Sequence, residues 1–270
     1  MQALRAALRN EPATLDEAAL EMAAIESPGL DRARYRQMLD RIASELATRL
    51  GGAPDGPKFV RMMNQYLFEE LGFRGNASEY YDPRNSCLDE VLDRRTGIPI
   101  TLSVVYIEVA RRLGRPVFGI GLPGHFVVQY DDGEYSTFID PFHEGKLLTE
   151  VDCHRLAREI TGVDTVEDPS TLAPVGDRYI LVRMLNNLRS AYFRAKQYGK
   201  MAQVMDLLLE AFPSNADYYK ARGVARLHLR EFGAAKSDLE LYLKHEPEAA
   251  DRAEVTKQLE AIHRWLARLN

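Results

Sequence analysis

The sequence predicts a mostly helical α+β protein, in which a core with a small antiparallel sheet is followed by an all-helical repeat domain. Two observations lead to this prediction. A helical apolar stripe from Leu102 to Leu113 is followed by strand-like segments on either side of a turn at Asp131-Asp132-Gly133-Glu134. From about residue 177 onward the chain has only helical patterns, and these recur with a period of 34 residues. A helix packed on a few antiparallel strands is an α+β core.

The composition is that of an ordinary globular protein with one or two domains. Of the 270 residues, 46% are hydrophobic and 28% are charged. The formal net charge of −5 argues against a nucleic-acid partner, which requires a basic surface. No apolar run reaches the roughly 18 residues of a membrane span, and the N-terminus lacks the pattern of a signal peptide. Two cysteines cannot build a disulfide framework, so we expect a cytoplasmic protein with no membrane partner.

The first region, residues 1–56, is predicted to be helical. Apolar residues recur at helical spacing after Thr14, which with Glu17 three residues later forms a capping-box pattern. A second helix is indicated from Tyr35 to Leu46, and the glycine-rich segment 51–56 follows as a connector.

The second region, residues 57–176, is predicted to hold the α+β core. Helices are expected at Phe59–Leu71, from a cap at Asn85 or Ser86 through Arg95, and from Pro99 to Leu113. Strands are then expected at 115–121, 125–130 and 135–139.

The third region, residues 177–270, has the signature of tetratricopeptide repeats. Tyr198-Gly199 recurs as Phe232-Gly233, and Pro213 recurs as Pro247, each with the same 34-residue offset. Residues 249–268 are predicted to form a capping helix.

Five motifs in order, over about 80 residues, resemble the bacterial SirB-type family with a transglutaminase-like (papain-like) core. The motifs are YLFEELGFRGN (66–76), YDPRNS (81–86), RRTGIPITLS (94–103), PGHF (123–126) and IDPF (139–142). The resemblance implies a transglutaminase-like fold followed by tetratricopeptide repeats. Related cores also occur in some eukaryotic F-box proteins, which is consistent with an adaptor role.

His125 and Asp140 match the positions of the family's catalytic base and of the carboxylate that orients it. The family's cysteine would fall near Pro99 to Thr101, where this chain has no thiol. The sequence therefore predicts a transglutaminase-like protein that lacks the usual catalytic cysteine.

Two other residues are candidate nucleophiles in an alternative reading as an acyl-transfer enzyme. Thr101 lies in the first turn of the predicted helix, and its hydroxyl would need His125 within about 3 Å. Cys87 follows a predicted helix cap, and the chain order Cys87, His125, Asp140 matches that of papain-like enzymes. The purely structural alternatives are that the Thr101 hydroxyl caps the helix and that Cys87 is a small half-buried side chain.

No cofactor or metal is predicted, because Cys153, His154 and His143 have no recognised ligand spacing. A binding cleft near His125 is predicted on the loop and helix before it. Its candidate residues are Tyr81, Asp82, Arg84, Asn85 and Glu90. The sequence predicts a peptide- or protein-binding adaptor or regulatory protein, with the partner in the groove of the repeats. The groove residues predicted are Asn186, Asn187, Tyr192, Tyr219 and Arg222.

Overall fold

The structure is a computed structural model that describes residues 1–162, 164–166 and 168–267. Its residues form two compact units, Met1–Met184 and Leu185–Asn270. Positions 163 and 167 of the predicted core, and 268–270 at the end of the predicted capping helix and repeat region, lie outside the described residues.

The chain begins with three helices, α1 (Gln2–Leu8), α2 (Leu15–Ala23) and α3 (Arg32–Leu50). The capping box predicted for α2 is wrong in its details. Thr14 is the N-cap residue, but its hydroxyl donates to Asp16 Oδ1 at 2.6 Å instead of accepting from the helix. Asp16 itself accepts the Glu17 N–H at 2.8 Å, so the carboxylate takes the capping role.

The helix predicted over 59–71 is present in two parts. Helix α4 (Gly56–Asn64) continues into a π-helical turn, Gln65–Glu70. Asn64 lies at the junction, where its Nδ2 donates to the Gly145 carbonyl at 2.7 Å and its Oδ1 accepts from Tyr106 at 3.0 Å. Asn64 thus contacts residues 42 and 81 positions later in the sequence, and a π-helical turn is often found next to a residue with such a specific role.

Helix α6 (Pro99–Arg112) is the centre of the first unit. Residues 99–110 are all buried, which requires partners on every side. It contacts the sheet and three other helices, α2, α3 and α5 (Leu88–Arg94). The predicted caps of α5 are wrong, because Pro83–Ser86 form a separate 3-10 turn and Cys87 becomes the N-cap residue.

The sheet has five antiparallel strands in the order β6-β5-β4-β3-β7, and a short parallel pair lies beside it. The pair is β1 (Arg74–Gly75) with β2 (Thr96–Gly97). The five strands are β3 (Val117–Ile120), β4 (Val127–Asp131), β5 (Ser136–Asp140), β6 (Lys146–Leu148) and β7 (Pro174–Val175). The three predicted strands are confirmed as β3, β4 and β5. The other two have only three and two residues, too few for an alternating pattern to show. Helix α7 (Glu150–Thr161) follows β6.

A buried ion cluster ties α2 to α6. Arg112 donates to Asp16 at 2.5 Å, to Glu108 at 2.6 Å and to exposed Asp40 at 2.7 Å. Asp16 and Glu108 are each only 2% exposed. Burial alone would raise the pKa of Asp16, but hydrogen bonds from Thr14 and Arg112 outweigh it and hold that pKa below its usual range. Burial raises the pKa of Glu108, and nearby Asp16 adds to the effect.

The second unit is helical throughout the part that the structure describes. Its helices are the end of α8 (Asp177–Arg194), then α9 (Tyr198–Ala211), α10 (Ala216–His228), α11 (Phe232–His245) and α12 (Arg252–Leu266). Helices α10 and α11 approach closely at Gly223, where a Cβ would lie 3.0 Å from a Leu239 methyl carbon. No helix among the described residues is long and apolar enough to cross a membrane.

Candidate functional site

His125 is held in a turn immediately before β4. Its N–H donates to the Leu122 carbonyl at 3.2 Å, and Gly124 between them has a φ of +73°. A Cβ at Gly124 would lie 2.5 Å from Ile160 Cγ2, so this position favours glycine for its conformation and for its space. Arg183 fixes the turn by donating to the carbonyls of Leu122 at 2.8 Å and His125 at 2.5 Å. No local pattern in the sequence indicates this role of Arg183, which lies 58 residues from His125.

Asp140 organises the site from the end of β5. Its Oδ1 caps the 3-10 turn Pro141–His143 by accepting the N–H groups of Phe142 at 3.0 Å and His143 at 3.3 Å. Its Oδ2 lies 2.9 Å from His125 Nε2 and 2.7 Å from His143 Nδ1. Both carboxylate oxygens are therefore fully engaged, and one of them contacts two imidazole rings.

The site is buried on one side and open on the other. His125 is 5% exposed and Asp140 is 1% exposed, whereas the His143 side chain is 53% exposed. The two imidazole rings stack with centroids 5.8 Å apart. Burial alone would raise the pKa of Asp140, but hydrogen bonds from His125 and His143 outweigh it, so the pKa lies below its usual range. The carboxylate is accordingly the stable form at neutral pH.

The hydrogen bond to Asp140 determines which ring nitrogen of His125 can act as a base. When a neutral His125 donates its Nε2 proton to Asp140, the lone pair remains on Nδ1. A carboxylate that orients an imidazole in this way is the base-and-orienter half of a catalytic triad.

The structure does not join Thr101 to this pair. In the described part of the chain, Thr101 Oγ1 and Ser103 Oγ are fully buried and have no hydrogen-bond partner. The hydroxyl of Thr101 is therefore not hydrogen-bonded to His125. Cys87 is fully buried at the start of α5, where its Sγ lies 3.5 Å from the Pro83 carbonyl.

The predicted binding residues lie together around the 3-10 turn at 83–86, but several are occupied. Arg84 makes a bidentate ion pair with Asp82, with the closest contact at 2.7 Å. Asn85 is fully buried and donates to the Glu79 carbonyl at 2.7 Å. Tyr81 is 50% exposed, and burial raises the pKa of Glu90. Tyr81 and Arg84 are thus the exposed members of this set.

Several of the predicted groove residues in the second unit make internal contacts. Tyr192 is fully buried, so assigning it to a groove was wrong: it packs within the helical core. Arg222 pairs with Asp238 and Asp206, each at 2.7 Å. Tyr219 is half-buried, stacks on His245 and donates to the Pro213 carbonyl at 2.9 Å. Asn187 is half-buried on α8.

Cys153 and His154, for which the sequence predicts no metal site, have other surroundings in the structure. Cys153 is fully buried, and burial raises the pKa of its thiol to about 12. His154 Nδ1 lies 2.8 Å from the Thr165 hydroxyl. His143 instead joins His125 and Asp140, a grouping that the sequence analysis missed.

Comparisons with known proteins match both units. Residues 33–186 match the family model described as the transglutaminase-like superfamily, and residues 188–260 match the tetratricopeptide repeat model. A UPF0162 protein of Xylella fastidiosa is 36% identical over 245 residues, which cover 90% of this chain and 87% of that protein. Human F-box only protein 21 is 32% identical over 179 residues, 62% of this chain and 27% of that protein.

A solved structure is also similar in sequence to part of the chain. It is titled "First TPR of Spaghetti (RPAP3) bound to HSP90 peptide SRMEEVD" and is 26% identical, covering 43% of this chain and 77% of that one. Its TM-score is 0.29, so the likeness carries no structural argument here.

Proposed function

This chain belongs to the transglutaminase-like superfamily and to the family of UPF0162 proteins, and we propose that it is a peptide- or protein-binding adaptor or regulatory protein. The observation that carries the proposal is the tetratricopeptide repeat match over residues 188–260. Repeats of this kind build extended concave surfaces that hold peptides or helices. As part of the same proposal, the chain is a SirB-type protein and is located in the cytoplasm.

The first unit supports the same proposal through the residues at the start of α6. The resemblance implies that the nucleophile of related enzymes lies in the first turn of the helix that corresponds to α6. In this chain that turn is Pro99-Ile100-Thr101. None of these residues provides a thiolate, and the buried Thr101 hydroxyl has no hydrogen bond to the base. A retained His125–Asp140 pair without its nucleophile fits a binding protein better than an enzyme. The domain limits 1–56, 57–176 and 177–270 remain part of this proposal.

The binding proposal is tested with peptides selected on the full chain from a random display library. Two single variants identify the surface that binds: Tyr219→Ala in the repeat unit and Tyr81→Ala at the predicted cleft of the core. If the repeat groove holds the peptide, we expect Tyr219→Ala to weaken the Kd by at least about 10-fold, since aromatic anchors dominate such contacts, and Tyr81→Ala to leave it unchanged. Isothermal titration calorimetry measures both.

The opposite pattern would move the partner to the core cleft and overturn the repeat-groove part of the proposal. Selection that yields no peptide with a Kd below about 1 mM, or peptides indifferent to both variants, would contradict binding at either surface.

A second candidate function is acyl transfer, as a protease- or amidase-like enzyme that uses Cys87 or Thr101. The observation that favours it is the buried 2.9 Å contact of His125 with Asp140, which is the arrangement of a general base and its orienter. The candidate nucleophile with intrinsic reactivity at neutral pH is Cys87.

Thiol reactivity separates the two functions. Because both cysteines are fully buried, we expect the native chain to react with Ellman's reagent at least about 100-fold more slowly than the chain unfolded in guanidinium. The variants Cys87→Ala and Cys153→Ala assign any reaction to one thiol. Rapid native labelling that disappears in Cys87→Ala would favour the enzyme.

A further inference from the structure

Three side-chain atoms that commonly bind metals converge at the end of β5. His125 Nε2, Asp140 Oδ2 and His143 Nδ1 all lie within 4.8 Å of one another, and no other such group occurs among the residues described. We propose that these three residues form a mononuclear binding site for a divalent transition-metal ion of the zinc class. The site uses His125 and Asp140, the pair that the acyl-transfer alternative assigns as base and orienter, and it does not depend on the partner binding proposed for the repeats.

The distances suit insertion of an ion in place of the two hydrogen bonds. Asp140 Oδ2 lies 2.9 Å from one imidazole nitrogen and 2.7 Å from the other. In a tetrahedral site with metal–ligand bonds of about 2.0–2.1 Å, neighbouring ligand atoms are about 3.3 Å apart. Each of these two nitrogen–oxygen distances therefore needs to increase by only about half an ångström, and the two imidazole nitrogens already lie within 4.8 Å of each other.

The protons can be accommodated without a co-reactant. Each neutral imidazole carries one N–H, which lies toward Asp140 in the absence of the ion. On binding, the His125 proton moves to Nδ1 and the His143 proton moves to Nε2, so each ring presents a lone pair to the metal. If the cluster holds an additional proton, that proton is released to solvent on binding.

The surrounding contacts hold two of the ligands in place. The other carboxylate oxygen of Asp140, Oδ1, accepts two backbone N–H groups, which fix the plane of the carboxylate. Arg183 holds the turn of His125 through two backbone carbonyls, so its guanidinium is occupied and does not compete for the carboxylate. The Asp140 carboxylate is almost fully buried and already contacts both imidazoles, so the three ligands need little rearrangement to bind an ion.

The third ligand determines the type of site. His143 is 53% exposed, so its ring lies on the solvent side of the site, and we expect a fourth coordination position to be open to solvent. Two imidazoles and one carboxylate with an open position is a ligand set that binds zinc or iron and that leaves room for water or an external ligand. The ligand set excludes a preference for Ca²⁺ or Mg²⁺, which favour all-oxygen sites.

The test uses the tag-free full chain, freed of metal with a chelator and then dialysed. Titration with ZnCl2 by calorimetry is expected to give one ion per chain with a Kd of micromolar or tighter. One equivalent of Co²⁺ should give the visible absorption of a four- or five-coordinate complex. The variant His143→Ala removes the exposed ligand, and its circular dichroism spectrum verifies folding.

We expect His143→Ala to weaken Zn²⁺ binding by at least about 100-fold, as loss of a ligand does. The matched control is His154→Ala, because His154 contacts Thr165 and not the cluster, and its affinity should equal that of the original chain. The proposal is overturned if the chain binds Zn²⁺ more weakly than about 1 mM, or if His143→Ala binds as the original chain does. Because no peptide takes part, failure here does not bear on the binding proposal.

Discussion

Replacing Arg112 with methionine is expected to lower the free energy of unfolding of the first unit by about 3–5 kcal/mol. The guanidinium contacts Asp16 at 2.5 Å and Glu108 at 2.6 Å, and both carboxylates are almost fully buried. Removing one partner of a buried ionic group costs more than the pair contributes, because the other charges remain desolvated. Arg36 lies 3.3 Å from Asp16 and Arg111 lies 2.7 Å from Glu108, so each carboxylate keeps one positively charged neighbour. Both arginine side chains are nearly half exposed, and they therefore compensate for the loss of Arg112 only in part.

The measurement is urea unfolding followed by far-ultraviolet circular dichroism. Fluorescence of Trp265, the only tryptophan in the sequence, follows the second unit separately and shows whether the two transitions coincide, as a single free energy requires. The matched control is Arg158→Met, which removes an exposed contact of 3.9 Å to Asp164 and should change stability by less than about 1 kcal/mol. Equal effects of the two substitutions would show that the buried cluster is energetically ordinary.

A second substitution in the same cluster distinguishes stranded charge from lost packing. Adding Glu108→Gln to Arg112→Met removes one of the two stranded carboxylates, so we expect the double variant to be more stable than Arg112→Met alone. Glu108→Gln by itself should be destabilising, because Arg112 then loses a charged partner. The sum of the two single effects should therefore exceed the effect of the pair, and strict additivity would contradict the ionic explanation.

The penalty of Arg112→Met should also be smaller at pH 5 than at pH 7.5. Without Arg112, burial raises the folded-state pKa of Asp16 above its unfolded value, and it raises further the pKa of Glu108, which is already above its usual value in the original chain. The folded variant therefore gains more stability than the original chain as the pH falls through those raised values. In the original chain the pKa of Asp16 is lowered, so its contribution is lost only below the ordinary Asp range. A pH-independent penalty would contradict this account.

What the sequence predicts well is what depends on local pattern. Helix α6 and the strands around the Asp131–Glu134 turn follow from periodicity, and the His125–Asp140 contact follows from placing those strands side by side. The fold class is confirmed for the same reason, since the motifs and the 34-residue period each span only short stretches of chain.

The parts that the sequence does not predict depend on contacts between distant positions. Arg112 and Asp16 are 96 residues apart, and Arg183 contacts the His125 carbonyl from 58 residues away. Tyr192 is fully buried and not a groove residue, and the prediction is wrong here because the helical period alone does not distinguish the inner face of a helix from its outer face.

His143 did have a local signal. It follows Asp140 by three residues, and in a 3-10 turn the residues i and i+3 lie above one another. A 3-10 turn that begins after Asp140 therefore predicts that the side chains of Asp140 and His143 lie close together.

Substituting alanine for Gly75 is expected to lower the free energy of unfolding by about 3 kcal/mol, at the upper end for overpacking. A Cβ at this position would lie 2.6 Å from the carbonyl oxygen of Phe142 and 2.6 Å from its ring carbon Cδ2. A flexible side chain could move away, but a backbone carbonyl cannot do so without shifting the turn that carries it. The strain is therefore expected to move either β1 or the Pro141–His143 turn.

The second outcome would reach the candidate site, because Phe142 lies between Asp140 and His143 in that turn. We expect the imidazole 15N chemical shifts of His125 and His143 to change in Gly75→Ala, while those of His154 remain as they are. The matched control is Gly176→Ala, since a Cβ there meets no atom within 4 Å and the backbone is not in the left-handed region. That variant should be neutral or slightly stabilising, because alanine reduces the conformational entropy of the unfolded chain.

If Gly75→Ala is as stable as Gly176→Ala and leaves both imidazoles unchanged, then the contact between β1 and the turn does not position the site. The close approach of β1 would then have no role beyond packing, and the arrangement of His125, Asp140 and His143 would depend on their other contacts, among them those made by Arg183.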